Sequence, residues 1–157
     1  MRIVGPECYN LSVDSTKFSV TCPKGTTTFS GLATSTLPKL YIVAVDANPV
    51  YVGITRQSMR ARFRYGFTAS GRNGYHGYAW RHRVKQANLY IWCHEDAPPE
   101  RSELDIETVE AEIVYLTRQA GQWPAYQTEI HFHASTEIHR KIASEIWRTI
   151  TGKEVVG

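Results

Sequence analysis

The stretch LYIVAVDANPVYVGITRQSMRARFRYGF, Leu40 to Phe67, decides the fold. Leu40 to Val45 is an unbroken apolar run rich in strand-forming residues, so it reads as a β-strand. Asp46-Ala47-Asn48-Pro49 supplies turn chemistry, and Val50 to Ile54 is a second strand. Two strands joined this closely form a β-hairpin. Ser58 stands where a helix N-cap is needed, and Met59, Phe63 and Phe67 follow at i, i+4 and i+8 on one face. The expected order is therefore strand, turn, strand, helix.

Downstream, Ser70 to Gly74 breaks this helix, and Tyr75 to Ala87 is expected to hold a second one ending near Gln86. Asn88 to His94 reads as a third strand. After Pro98-Pro99, a helix is expected from Glu103 to about Ala120, with Ile106, Val109, Ile113 and Leu116 as its apolar stripe and Gly121 as its stop. Tyr126 to His133 reads as a strand. Ser135 or Thr136 then caps a C-terminal helix carrying Ile138, Ile142, Ile146 and Ile150.

Upstream, residues 1–38 are rich in Ser, Thr, Gly and Pro, with a weakly alternating strand at Lys17 to Cys22 and a loop from Gly25 to Pro38. They read as an arm docked on the core rather than a separate domain. The expected architecture is a single α+β domain: a small three-stranded antiparallel sheet over 39–157, flanked by helices, with an N-terminal arm and a C-terminal strand and helix. There is no internal repeat.

A length of 157 residues suits one core, and the composition is that of an ordinary globular protein. The net charge of +3 permits a polyanionic partner without requiring one. Its distribution is more telling. Arg56, Arg60, Arg62, Arg64, Arg72, Arg81, Arg83 and Lys85 run without an intervening acid, and Phe63, Tyr65, Phe67, Tyr75, Tyr78 and Trp80 interleave with them. Arginine and aromatic side chains together serve phosphates and bases. An acidic run follows from Glu95 to Glu112, which alone reads as a solvated face. Three cysteines in no CxxC pair point away from a disulfide framework or cysteine zinc site and towards reduced thiols in a cytoplasmic protein. No leader pattern opens the chain, and no apolar run is long enough to span a bilayer.

The ordered set of motifs resembles the GIY-YIG nucleases. Leu40-Tyr41-Ile42 stands where the family's first tyrosine motif falls, and Tyr51-Val52-Gly53 is similar to the second. Gly53 to Phe63 resembles the stretch leading into the first helix, with Arg62 best placed for its arginine. Val109 to Val114 resembles the glutamate helix, and Trp123 to Tyr126 the Pro-x-Tyr before the family's asparagine. The resemblance covers about residues 39 to 127. It implies a metal-dependent endonuclease that hydrolyses phosphodiester bonds, with double-stranded DNA the expected partner and Mg²⁺ (or Mn²⁺) the cofactor. Glu110 would hold the metal, Arg62 the scissile phosphate, and Tyr41, or else Tyr51, would act as general base.

Several residues depart from the pattern. Pro38-Lys39 replaces the glycine before the first motif. Gly66 stands four residues after Arg62, where the family often has His or Tyr, so Tyr65 or His76 is expected to substitute. Gln127 stands in place of the asparagine. Arg60 or Arg64 could take the phosphate, and Glu107 or Glu112 could take the role of Glu110. Arg56, Arg60, Arg64, Arg72 and Gln127 are the further nucleic-acid contacts expected. A restriction or defence role is the expectation for such a nuclease, with a homodimer one way to cut both strands.

Two other readings stay open. One is a non-catalytic nucleic-acid-binding module on the same fold, which Gly66 and Gln127 favour. The other is a metal hydrolase or metal-binding protein centred on His131 and His133, which a strand would place on one face with Glu129. The glycine-rich segment Gly71 to Tyr78 is no phosphate-cradling P-loop, since GxxxxGK[ST] is absent.

Overall fold

The computed structural model describes residues 1–96, 98–127 and 129–155. Five strands form one antiparallel sheet: β1 (Ile3–Asp14), β2 (Lys17–Thr21), β3 (Lys39–Val45), β4 (Asn48–Thr55) and β5 (Gln86–His94). Their order is β2-β1-β5-β3-β4. Among the described residues three α-helices accompany it: α1 (Met59–Thr68), α2 (Pro99–Gln119) and α3 (Glu137–Thr151).

The hairpin reads as expected. Val45 pairs with Asn48 across a two-residue turn, and Asp46 and Ala47 both have positive φ, 49° and 61°. That is the backbone twist a tight hairpin needs. Pro49 is tolerated because β4 is an edge strand. The unbroken apolar run of β3 has a physical cause: the sheet is covered on both faces. Tyr41 and Val43 pack with Phe63, Phe67 and Trp80 on the α1 side, whereas Leu40, Ile42 and Ala44 pack with Ile106, Val109, Ile113 and Ile146 on the α2–α3 side.

Four expectations need correction. Among the described residues the sheet has five strands rather than three. The segment read as an arm supplies two of them, and β1 pairs with β5 from Ile3 to Ser12. Polar residues on the outer face of β1 hid this strand, which is buried only at Tyr9, Leu11 and Val13. The loop that follows is tied down by Glu7, whose carboxylate accepts from the Leu32 and Ala33 N–H groups at 2.7 and 3.0 Å.

Tyr75 to Ala87 is not an α-helix but contains the 3₁₀ turn Ala79–His82, preceded by another at Arg72–Gly74. Gly77 at φ +76° breaks any helix there. Tyr126 to His133 contains no strand among its described residues; Thr128 lies outside them. The edge of β4 is instead satisfied by the Tyr126 N–H to the Val50 carbonyl (3.1 Å) and by the Gln127 side-chain oxygen, which accepts from Val52 N–H (2.9 Å). Finally, α2 starts a turn early, at Pro99, because proline fits the first helical position. Among the described residues no helix is long and apolar enough to cross a membrane.

Candidate active site

Where β4, α1 and α2 approach, they leave a cleft of about 240 Å³ lined by Tyr51, Arg62, Tyr75, Tyr78, Glu110 and Gln127, with Glu107, Glu129 and His131 at the same opening. Two glycines make the tyrosine arrangement possible. A Cβ on Gly53 would lie 2.5 Å from the Tyr41 ring and 2.8 Å from that of Tyr51. A Cβ on Gly66 would lie 2.2 Å from the Tyr78 ring. Gly66 is therefore no gap in the site. Its missing side chain is the space Tyr78 occupies, and neither Tyr65 nor His76 fills that place. Tyr65 is 55 % exposed and stacks on Tyr75, with ring centroids 4.7 Å apart. His76 lies against Gly71.

Arg62 enters from the N-terminal half of α1. Its Nη1 donates to the Tyr75 hydroxyl at 2.9 Å, and its guanidinium carbon sits 4.9 Å from the centre of the Tyr78 ring. The segment carrying both tyrosines is pinned by Arg81, which sequence reasoning did not single out. Arg81 is buried and donates to the carbonyls of Gly66 (2.9 Å), Phe67 and Ala69 (3.0 Å). These are the unsatisfied acceptors at the end of α1, so one cation caps the helix and fixes the insert. Tyr75 and Tyr78 were legible only as part of the aromatic run. No spacing in the sequence says which side chain caps a helix end from afar.

Tyr41 lies behind the cleft wall with no exposure, its hydroxyl 3.0 Å from that of Tyr78. Tyr51 is half-buried and lines the cleft. Burial pushes the Tyr41, Tyr51 and Tyr78 hydroxyls well above the usual tyrosine range, and the positive charge of Arg62 works against that rise. All three are held protonated in the free protein, and the Tyr41 and Tyr78 hydroxyls share a hydrogen bond.

On the facing wall, α2 presents Glu110, only 6 % exposed. Burial pushes its carboxyl up to about 8; Gln127 partly offsets this by hydrogen bonding, and the charge of Glu107 adds to it. Gln127 Nε2 donates to Glu110 Oε1 at 3.3 Å, while its oxygen is committed to Val52. That commitment orients the amide. None of the described ion pairs includes Glu110, and the His131 imidazole at the same opening is the cation that acts on it. A buried carboxyl lining a cleft in this way suits a hard divalent ion that keeps most of its waters.

The remaining candidates lie elsewhere. Arg56 pairs with Glu103 at 3.8 Å. Arg72 is exposed in the 3₁₀ turn. Arg60 and Arg64 line a different groove on the far side of α1. Glu112 is not among the cleft residues.

His131 and His133 do meet, but through a carboxylate rather than across a strand face. His131 reaches Glu107 (3.4 Å) and Glu129 (3.0 Å), and His133 also contacts Glu107. Hydrogen bonds to Glu129 and then Glu107 raise the His131 imidazole above its ordinary range. Among the described residues no group of three or more His, Cys, Asp or Glu is arranged to hold a metal. Comparison with family models, curated proteins and solved structures gave no match to this chain.

Proposed function

We propose that the protein is a metal-dependent endonuclease acting on phosphodiester bonds of DNA, in a restriction or defence role. The observation that carries this reading is the cleft that brings Arg62 and its tyrosines opposite the buried Glu110. The resemblance of the motif order to the GIY-YIG nucleases supports it independently.

Arg62 would hold a non-bridging phosphate oxygen pair with its planar fork, and Tyr75 and Tyr78 keep that fork in place. A Mg²⁺ or Mn²⁺ ion at Glu110 would supply charge stabilisation on the phosphate and help for the leaving oxygen. Burial holds the Tyr51 hydroxyl protonated, and the positive charge of Arg62 works against that. Tyr51, the hairpin tyrosine that lines the cleft, would first release its own phenolic proton to solvent beside Arg62 and the metal, and its Oη would then take a proton from the attacking water. The water oxygen bonds to phosphorus, the opposite P–O bond breaks, and the leaving oxygen is protonated from solvent. Tyr41 acts through its bond to Tyr78, since its own hydroxyl does not reach the cleft.

The test is incubation of the protein with supercoiled plasmid in Mg²⁺ or Mn²⁺, beside a chelated control. Metal-dependent discrete fragments support the endonuclease and its restriction role. Nicking or smearing supports the endonuclease alone. No cutting of plasmid, single-stranded or branched DNA overturns the reading and leaves a nucleic-acid-binding module.

A further inference from the structure

On the opposite side of α1 from the cleft lies a second concavity, a groove of about 740 Å³ between α1, β2 and the loop before β3. We propose that this groove seats an unstacked base of a single-stranded nucleic-acid segment, with the adjoining phosphates on Lys17, Arg60 and Arg64. The choice of nucleic acid rests on the nuclease reading. The groove itself rests on three separate features.

The first is its floor. Phe18 and Phe29 are half-buried, and Phe67 lies behind them, with Phe18 5.1 Å from Phe67 and 6.3 Å from Phe29 between ring centroids. Aromatic rings left partly open at the bottom of a groove offer apolar surface and ring edges to a planar ligand.

The second is charge. Lys17, Arg60 and Arg64 line the groove, no acidic residue does, and none of the three has an acidic partner among the described ion pairs. Arg56, on the same arginine-rich stretch, contrasts with them because Glu103 neutralises it. Three unneutralised cations around an aromatic floor complement a polyanion with a flat apolar face.

The third is the rim. Ser19, Thr27 and Thr28 bring exposed hydroxyls, which donate to or accept from base edges alike. A base in a duplex is stacked and cannot offer its face to the phenylalanines, so the occupant is single-stranded or locally opened. The helix geometry relates this groove to the cleft. Arg60 and Arg64 are four residues apart and share one side of α1, and Arg62 points to the other. A strand passing from one to the other crosses the width of one helix, on the order of 10 Å.

The inference is tested by fluorescence anisotropy on the full chain in chelator. The probes are a labelled oligo(dT), an abasic oligomer of the same length and a duplex. The expected result is that oligo(dT) binds at least about ten-fold tighter than the abasic or duplex probe. Arg60→Ala/Arg64→Ala, and separately Thr28→Glu at the exposed rim, should each weaken it about ten-fold. Arg83→Ala/Lys85→Ala, which removes two exposed cations outside the groove, should change it by less than about two-fold. Equal affinity for oligo(dT) and abasic probe overturns the base seat. Unchanged affinity in both groove variants overturns the groove. Plasmid cutting by the wild type is scored separately. Cutting without groove-dependent binding removes the groove and keeps the nuclease, and groove-dependent binding without cutting does the reverse.

Discussion

At the residue scale, the unusual groups are Glu110 and the two glycines that shape the tyrosine wall. The Glu110 carboxyl titrates at about 8 when folded, against an ordinary value near 4.5. Below about pH 4.5 it is protonated folded or unfolded and costs nothing. Between 4.5 and 8 the unfolded chain releases the proton and the folded chain keeps it, so stability falls as pH rises. Above 8 the full penalty is present. Glu110→Gln removes the ionisation while still accepting from Gln127. In chelator it should therefore be more stable than wild type at pH 8.5 by roughly 2–4 kcal/mol and show no gain at pH 4.5. Thermal melts at the two pH values check this; equal melting at both would mean Glu110 is ionised without cost. Gly66→Ala would ordinarily favour a helix by about 1 kcal/mol. Here the added methyl meets the Tyr78 ring at 2.2 Å, so the variant should be destabilised by about 1–3 kcal/mol in urea titration. The sequence marked Gly66 as a departure; only the fold shows that a ring from twelve residues further on fills the space.

At the element scale, the decisive contact is the capping of α1 by Arg81. Arg81→Met keeps most of the side chain's apolar stem but drops three hydrogen bonds to the helix end. It should cost about 2–3 kcal/mol in denaturant. Since the same segment carries Tyr75 and Tyr78, it should also lower cutting rate by more than ten-fold at permissive temperature. A variant that is less stable but cuts at the wild-type rate would separate the cap from the site. Elements with strong local signals were legible: the β3–β4 hairpin, α1 with Ser58 accepting from Ala61 N–H at 3.3 Å, and the buried stripe of α2. The segment from Tyr75 to Ala87 was not. Its aromatics look helical by spacing, but they are placed by Gly77 and Arg81. The strand expected at Tyr126 to His133 failed for a related reason: a side-chain amide, not a strand, completes the edge of β4.

At the scale of the whole molecule, β1 and β2 extend the sheet beyond the hairpin core, and α3 closes its α2 face. The place of β1 depends on partners more than 70 residues away, such as Ser12 opposite Gln86, which no local pattern encodes. A buried junction holds the closure. Asp105 of α2 meets His94 of β5 at 3.0 Å and His139 of α3 at 2.9 Å, and His139 accepts the Thr136 N–H at the start of its helix. Burial opposes the Asp105 charge, but the hydrogen bonds from both histidines prevail and hold the carboxyl below its usual range. Its contribution is thus present above about pH 4 and is lost as pH falls through the lowered value. Asp105→Asn should cost about 3 kcal/mol at neutral pH and should expose α3 amides to hydrogen exchange before those of β3 and β5. Tyr51, Arg62 and Glu110, which line the cleft, were legible as candidates because they sit on the hairpin, α1 and α2, the elements with the clearest periodicity, whereas Arg56, Arg60, Arg64 and Arg72 fall outside it.

The central claim is that Glu110 and Arg62 form one metal-dependent hydrolytic site. Its most direct test is single-turnover cleavage of a labelled DNA fragment in Mn²⁺ by wild type, Glu110→Gln and Arg62→Ala, with affinity for the same fragment measured in chelator. The account predicts that Glu110→Gln binds within about two-fold of wild type and cuts at least about 100-fold more slowly, and that Arg62→Ala loses cutting to a similar extent. Wild-type cutting that persists undiminished in Glu110→Gln would contradict it.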